Sequence, residues 1–323
     1  MGGKKYELTD ETKTLADGTV LHCIRAVRDF VLADGTKVRA GDLGGWVERE
    51  DNLSQDGSAW VGDDAEVCGS AKVENNAWVG GKALVCDRAL IYDNARIYGN
   101  ALVCENVEVY GKAEVYGKAR VFGRAHVYSQ ANVSGESQIS GEALIHGEAS
   151  IFDSARIFGK AEICREALVY GSARVYEKAL VYGEARVFGE AEIYGDALVF
   201  GFTQVYEKAH VYGKAEVCGN AWVGGEARIY EDVRVSGCAE VCGNAEVKSL
   251  NDYVVFKNAW SSGRWFTYTR SNKMWKVGCF YGTGKELISK AYKDNPLSGW
   301  CYEAVVRAQE AVDKAVEEAK TAK

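Results

Sequence analysis

A handful of imidazoles, guanidinium groups and thiols in this sequence recur at spacings that decide which chemistry is open to it. His126 and His146 fall on neighbouring coils of one face of a repeat and are the pair that could serve as a general base, although a lone surface His is more often inert. Arg120, Arg156 and Arg174 stand at multiples of 18 residues, each followed two positions later by Phe122, Phe158 or Tyr176, and Tyr194 continues that row. Guanidinium beside aromatic rings holds planar anions such as nucleotides. The competing use of the same arginines is pairing with Glu192 or Glu246. A second basic and aromatic group, Arg264, Trp265, Tyr268, Arg270, Lys273, Trp275 and Lys276, lies within 13 residues. It suits the same ligand class, or forms an ordinary small core with a basic rim. Cys68, Cys86 and Cys104 repeat every 18 residues, so the outer two thiols stand about 9–10 Å apart and cannot meet on one tetrahedral ion. No CxxC spacing occurs elsewhere, so no metal and no cofactor is expected. Gly282-Thr283-Gly284-Lys285 precedes a helix and suggests anion capture, without full P-loop spacing.

A strict repeat must position these groups. From Val61 to Val247 a Val or Ile occupies every sixth residue, 32 times, and Ala stands two residues earlier at 28 of those 32 places. Val107, Ser137, Thr203 and Val233 are the four departures. Such a period marks a solenoid. In a unit such as Ala113–Lys118 the Ala and the aliphatic point inward, their neighbours outward, and Gly or a turn-tolerant Asp, Asn, Glu or Ser makes the corner.

Aliphatic-x-Gly-x-Ala-x in tandem resembles the hexapeptide repeat of left-handed parallel β-helix proteins, the LpxA-like superfamily that includes trimeric acyltransferases. The resemblance implies three hexads per triangular coil, hence an all-β fold: a single-stranded left-handed parallel β-helix of about ten 18-residue coils. The general crossover rule would favour the opposite hand. Ala40–Glu48 before the first coil and Lys276–Thr283 after the last resemble a phage and enterobacterial group, the YdcK-like proteins usually labelled only as transferases. That resemblance suggests a phage accessory protein and supplies no catalytic residue.

Folding the sequence at 18 sorts the outward residues into three faces. The first carries Trp60, Trp78 and Trp222, each two residues before a glycine, with Tyr98, Tyr116, Phe152, Tyr170, Phe188 and Tyr206 between them. The second carries the arginine row. The third carries Leu90, Leu144, Leu180 and Leu198 beside Tyr92, Tyr110, Tyr128, Tyr182 and Phe200, and its greasiness marks it as the expected interface of a homo-oligomer, a trimer by family habit. Mutual stacking of like rings is the plainer reading of all three ladders.

Residues 1–58 read as an N-terminal β cap with Asp-Gly turns at 17–18 and 34–35 and a core of Val20, Leu21, Ile24, Val27, Phe30, Val31 and Val38. Residues 59–248 are the β-helix, and 249–323 a C-terminal α+β domain. In that domain strands are expected near 254–256, 265–268 and 274–280, and helices near 285–293 and 297–321. The second helix repeats Val305, Ala308, Val312, Ala315 and Ala319 at heptad spacing.

The formal charge of −7 divides into −11 for residues 1–248 and +4 for 249–323, which argues against nucleic-acid binding. No apolar run reaches membrane-spanning length, the first residues hold no signal-peptide stretch, and ten cysteines fit reduced thiols in a cytoplasm. The uninterrupted repeat leaves no loop to build an acyl-CoA pocket. The expected function is a non-catalytic oligomeric binding protein, by resemblance an anti-defence accessory that sequesters a host protein or a small anionic or nucleotide ligand. The alternatives are an acyl-CoA-dependent acyltransferase and a structural spacer.

Overall fold

A computed structural model describes residues 3–260 and 263–321 and divides into two units, Met1–Gly195 and Asp196–Lys323. The first unit opens with strand Tyr6–Thr14 pairing antiparallel with Val20–Ala26. Both Asp-Gly turns form as expected: Asp17 and Asp34 each accept a hydrogen bond at 2.9 Å, from the N–H of Thr19 and of Thr36. Leu21, Ile24 and Val38 are buried, but Val20, Val27 and Val31 face solvent, because strand alternation sends the neighbours of inward residues outward. Their place in the core is taken by Tyr6 and Lys5, both fully buried. The Lys5 ammonium donates to the carbonyls of Ala59 (2.8 Å) and Asp56 (3.3 Å), and the Tyr6 hydroxyl to those of Leu53 and Glu50. The cap thus satisfies backbone acceptors at the open start of the coil.

Parallel pairing begins before residue 59. Trp46 and Val47, at the end of strand Leu43–Val47, lie in register with Glu66 and Val67. From Trp60–Val61 to Glu192–Ile193, short strands then follow every six residues, and those up to Arg174–Val175 each pair in parallel with the strand 18 residues on, as in Arg120↔Gln138 and Gln138↔Arg156. Three ladders result, and the Val or Ile of each strand is fully buried. This is a parallel β-solenoid.

The corners need positive φ. At Gly141 (φ +70°) an added Cβ would lie 2.7 Å from both the amide nitrogen and the carbonyl oxygen of Gly159. Acidic residues in the same slot offset their strained backbone. Asp153 (φ +56°) accepts from Gly171 N–H at 3.1 Å, and Glu105 (φ +65°) from Gly123 N–H at 2.8 Å.

In the second unit the same register continues from Leu198–Gly201 to Glu246–Val247. A four-stranded antiparallel sheet follows, Tyr253–Lys257, Trp265–Thr269, Met274–Val277 and Phe280–Thr283. The stretch expected as one strand, 274–280, is two, because Gly278 (φ +54°) turns the chain into a hairpin. Thr267, Ser271 and Tyr281 bond the backbone of Glu240, Glu246 and Cys242, so this sheet covers exposed polar groups of the last coil. Helices α1 (Gly284–Asp294) and α2 (Pro296–Thr321) pack on its other side, around Phe266, Tyr268, Trp275, Leu287, Tyr302 and Val306. Asn295 caps α2 by accepting from Leu297 N–H at 2.8 Å. The α2 face that packs carries Tyr302, Val306 and Asp313; of the heptad seam read from sequence, Val305 packs against this core, whereas Ala308, Val312, Ala315 and Ala319 are exposed.

Candidate functional site

The arginine row lies on one ladder, and its members differ in what they touch. Arg174 bonds Glu192 at 3.2 Å, and Tyr176 donates to the other oxygen of the same carboxylate at 3.1 Å. Burial first, then that hydrogen bond, pushes the Tyr176 hydroxyl well above its usual value. The rings of Phe158, Tyr176 and Tyr194 stack at 4.8 and 4.9 Å with planes within 4°. This upper stretch is therefore satisfied internally, as the pairing reading expected.

The lower stretch is different. Arg120 and Arg156 are exposed and have no ion-pair partner among the described residues. They flank Gln138, which pairs in register with both. Beside them the aromatic row is interrupted: Ser140 stands between Phe122 and Phe158, one rung from each. Phe122, Ser140 and Phe158 are all half-buried. At the next corner Arg124 and Lys160 share Glu142, at 3.8 and 3.2 Å. Two cations without a carboxylate partner among the described residues, and two that share Glu142, thus lie around a gap one rung wide. Ser140 was not among the residues singled out from sequence; the signal was its place in a row otherwise held by Phe or Tyr.

The first face shows the same kind of break at Ser134, between Tyr116 and Phe152, where a solvent-open depression of about 570 Å³ has formed. Elsewhere on that face Trp78 lies over Gly80 as the spacing suggested, whereas Gly224 is covered by Tyr206 and Trp222 is left 42% exposed. On the third face Tyr92, Tyr110, Tyr128 and His146 form one stack at 4.7–4.9 Å. Leu90, Leu144, Leu180 and Tyr182 beside them, like Leu198 and Phe200 in the second unit, are half-buried.

The two candidate bases are each tied to a carboxylate. His126 Nδ1 lies 3.6 Å from Glu108, and His146 Nε2 lies 3.0 Å from Glu162. His146, Glu162 and Cys164 bring their ligand atoms within 4.8 Å of one another, a set that sequence spacing did not reveal. Burial raises the Cys164 thiol to about 11, which keeps it protonated near neutrality. Cys86 and Cys104 come equally close to Asp87. The thiols of Cys104 and Cys68 on either side push the Cys86 thiol up. Three stacked thiols cannot converge on one ion, but the corner carboxylate of Asp87 stands as a third donor beside two of them.

The C-terminal basic and aromatic cluster does not form one surface. Tyr268 and Trp275 belong to the core, because alternation turns them toward the helices. Tyr268 donates to Asp313, and Arg270 bonds the same carboxylate at 3.0 Å. Lys276 bonds Gly278 O at 2.7 Å and lies 3.4 Å from Glu240. Trp265 is 37% exposed, and Arg264 lines a cavity of about 450 Å³ with Phe280 and Lys290. The start of α1 already holds an anion of its own: the Glu286 carboxylate accepts from Thr283 N–H at 2.8 Å.

A family model described as YdcK Beta solenoid repeat matches residues 89–105, about one coil of the first unit. A search of curated proteins finds no match to the chain.

Proposed function

We propose that this protein is a non-catalytic binding protein that holds a small anion carrying a planar ring, of the nucleotide class, on its second face. Arg120 and Arg156 are the anion-holding pair, and the gap between Phe122 and Phe158 over Ser140 receives the ring. The observation that carries the reading is the pair of exposed guanidinium groups without carboxylate partners among the described residues, in a row where Arg174 has one. Like charges at positions two rungs apart repel, and a bound phosphate relieves that repulsion while accepting several N–H bonds. Ring stacking on Phe122 and Phe158 adds about 1–3 kcal/mol. The stacked, half-buried third face is the proposed self-association surface, and a phage-type sequestering role is the biological setting that the flanking motifs suggest.

Isothermal titration with adenosine and guanosine 5′-monophosphates tests the site. Binding to the wild-type protein should weaken at least tenfold in Arg120→Ala/Arg156→Ala and persist in Arg174→Ala. Equal affinity in the double variant, or no binding by the wild type, removes the proposal. Light scattering tests self-association against a variant carrying Leu90→Glu and Leu144→Glu.

A further inference from the structure

Around much of the solenoid the residue after the buried aliphatic is Tyr or Phe, 17 times in 32. In the first unit such rings stack into continuous columns. Tyr98 and Tyr116 lie 4.8 Å apart with planes within 2°, and Phe152 and Tyr170 lie 4.8 Å apart with planes within 5°. Between these two pairs the column lacks one ring, because the intervening position is Ser134. Rungs are about 4.8 Å apart, so the Tyr116 and Phe152 rings face each other across about 9.6 Å, the room for one more ring at the column's own spacing.

The strand residues beside the gap are both short and polar, as those of the adjoining rungs are not. The two outward strand residues beside it are Asn132 and Ser150, in register with each other, where the adjoining rungs carry Glu114 and Leu168. Both are short, and this opens the gap laterally into the depression. The Tyr116 hydroxyl, the Asn132 amide and the hydroxyls of Ser134 and Ser150 have no side-chain hydrogen-bond partner among the described residues. Tyr98, one rung earlier, spends its hydroxyl on Glu114 at 2.9 Å. Asp153 at the corner uses one carboxylate oxygen on Gly171 N–H and keeps the other. No cation lines the depression.

We propose that this missing rung is a second ligand site, distinct from the arginine site, that takes an uncharged purine-class heteroaromatic ring. Tyr116 and Phe152 stack on its two faces. The Asn132 amide meets an edge that both donates and accepts, the pairing a carboxamide makes with adenine. The serine hydroxyls complete the floor, and the Asp153 carboxylate disfavours an anionic substituent on that side.

Ser134→Phe tests the idea without threatening the fold, since it restores the ring that most other positions of the repeat carry. Adenosine and guanosine serve as probes, followed by saturation-transfer NMR and titration calorimetry on the full chain. The expected result is nucleoside binding to the wild type, at least a tenfold loss in Ser134→Phe, and a smaller loss in Asn132→Ala. Ser140→Phe and Arg120→Ala/Arg156→Ala should leave nucleoside affinity unchanged while weakening mononucleotide binding at least tenfold, so the two sites fail separately. Wild-type protein that binds neither nucleoside at millimolar concentration overturns the proposal. So does Ser134→Phe with wild-type affinity, or loss of nucleoside binding in Ser140→Phe instead.

Discussion

Two hydroxyls in the alanine column should have opposite effects on stability. Thr203 and Ser137 both replace Ala, and both are fully buried. The Ser137 hydroxyl donates to Ser134 O at 2.7 Å. The Thr203 hydroxyl is buried with no hydrogen-bond partner among the described residues. Thr203→Val exchanges that hydroxyl for a methyl of the same shape, and Val107 and Val233, buried in equivalent slots, show that the side chain fits. An unpaired buried hydroxyl costs about 1–3 kcal/mol, and no cavity is made, so Thr203→Val should stabilise by that amount. Ser137→Ala removes a made bond and should destabilise by about 0.5–1.5 kcal/mol, with Ser134 O still accepting from Ser137 N–H at 3.3 Å. Urea unfolding followed by far-ultraviolet circular dichroism and tryptophan fluorescence reads both. A Thr203→Val protein no more stable than wild type, or a stabilised Ser137→Ala protein, would refute the reasoning.

Asp313→Ala removes the shared acceptor of Tyr268, Arg270 and Gln309 in a site where both ionic side chains are at most 15% exposed. It should cost about 3–5 kcal/mol and abolish the near-ultraviolet signal of the C-terminal core, while the far-ultraviolet β signal persists. Gly141→Ala meets both positive φ and the Gly159 backbone, whereas Gly237→Ala has the same φ and open space. Differential scanning calorimetry should show a loss of about 1–2 kcal/mol at Gly237 and a larger one at Gly141. Burial, and then Arg28, lowers the Lys5 ammonium from 10.5 to about 8. Between those values the unfolded chain binds more protons, so this group's contribution to stability rises as pH climbs through the window. Urea midpoints at pH 8 and 10 should therefore differ between wild type and Lys5→Met by an increment favouring the wild type at the higher pH.

The solenoid was legible from residue order because its determinants are local and periodic. A β-branched residue every six positions and an Ala two before it fix inside and outside without knowledge of the rest of the chain. The corner chemistry was legible for the same reason, since positive φ selects Gly, Asp, Asn and a few others. The end pieces were less so. Val20, Val27 and Val31 looked like core, but Lys5 and Tyr6 fill it, because buried polar groups there answer carbonyls about 50 residues away. Tyr268, Arg270 and Trp275 looked like a binding surface, but an Asp 43–45 residues later claims two of them and the helices bury the third.

For the candidate sites the division falls elsewhere. Sequence alone placed Arg120, Arg156 and Arg174 in one row and the rings beside them, since a period of 18 converts directly into stacking. The pairing of an arginine with Glu192 was legible too; that Arg174 makes it while Arg120 and Arg156 reach no carboxylate among the described residues was a tertiary matter, because it depends on side-chain reach. The gaps at Ser134 and Ser140 were written in the sequence as serines in an aromatic register. Only the neighbouring rings, stacked at 4.8 Å on both sides of Ser134 and on the Phe158 side of Ser140, give them a width, because a vacancy has dimensions only when its neighbours are fixed in space.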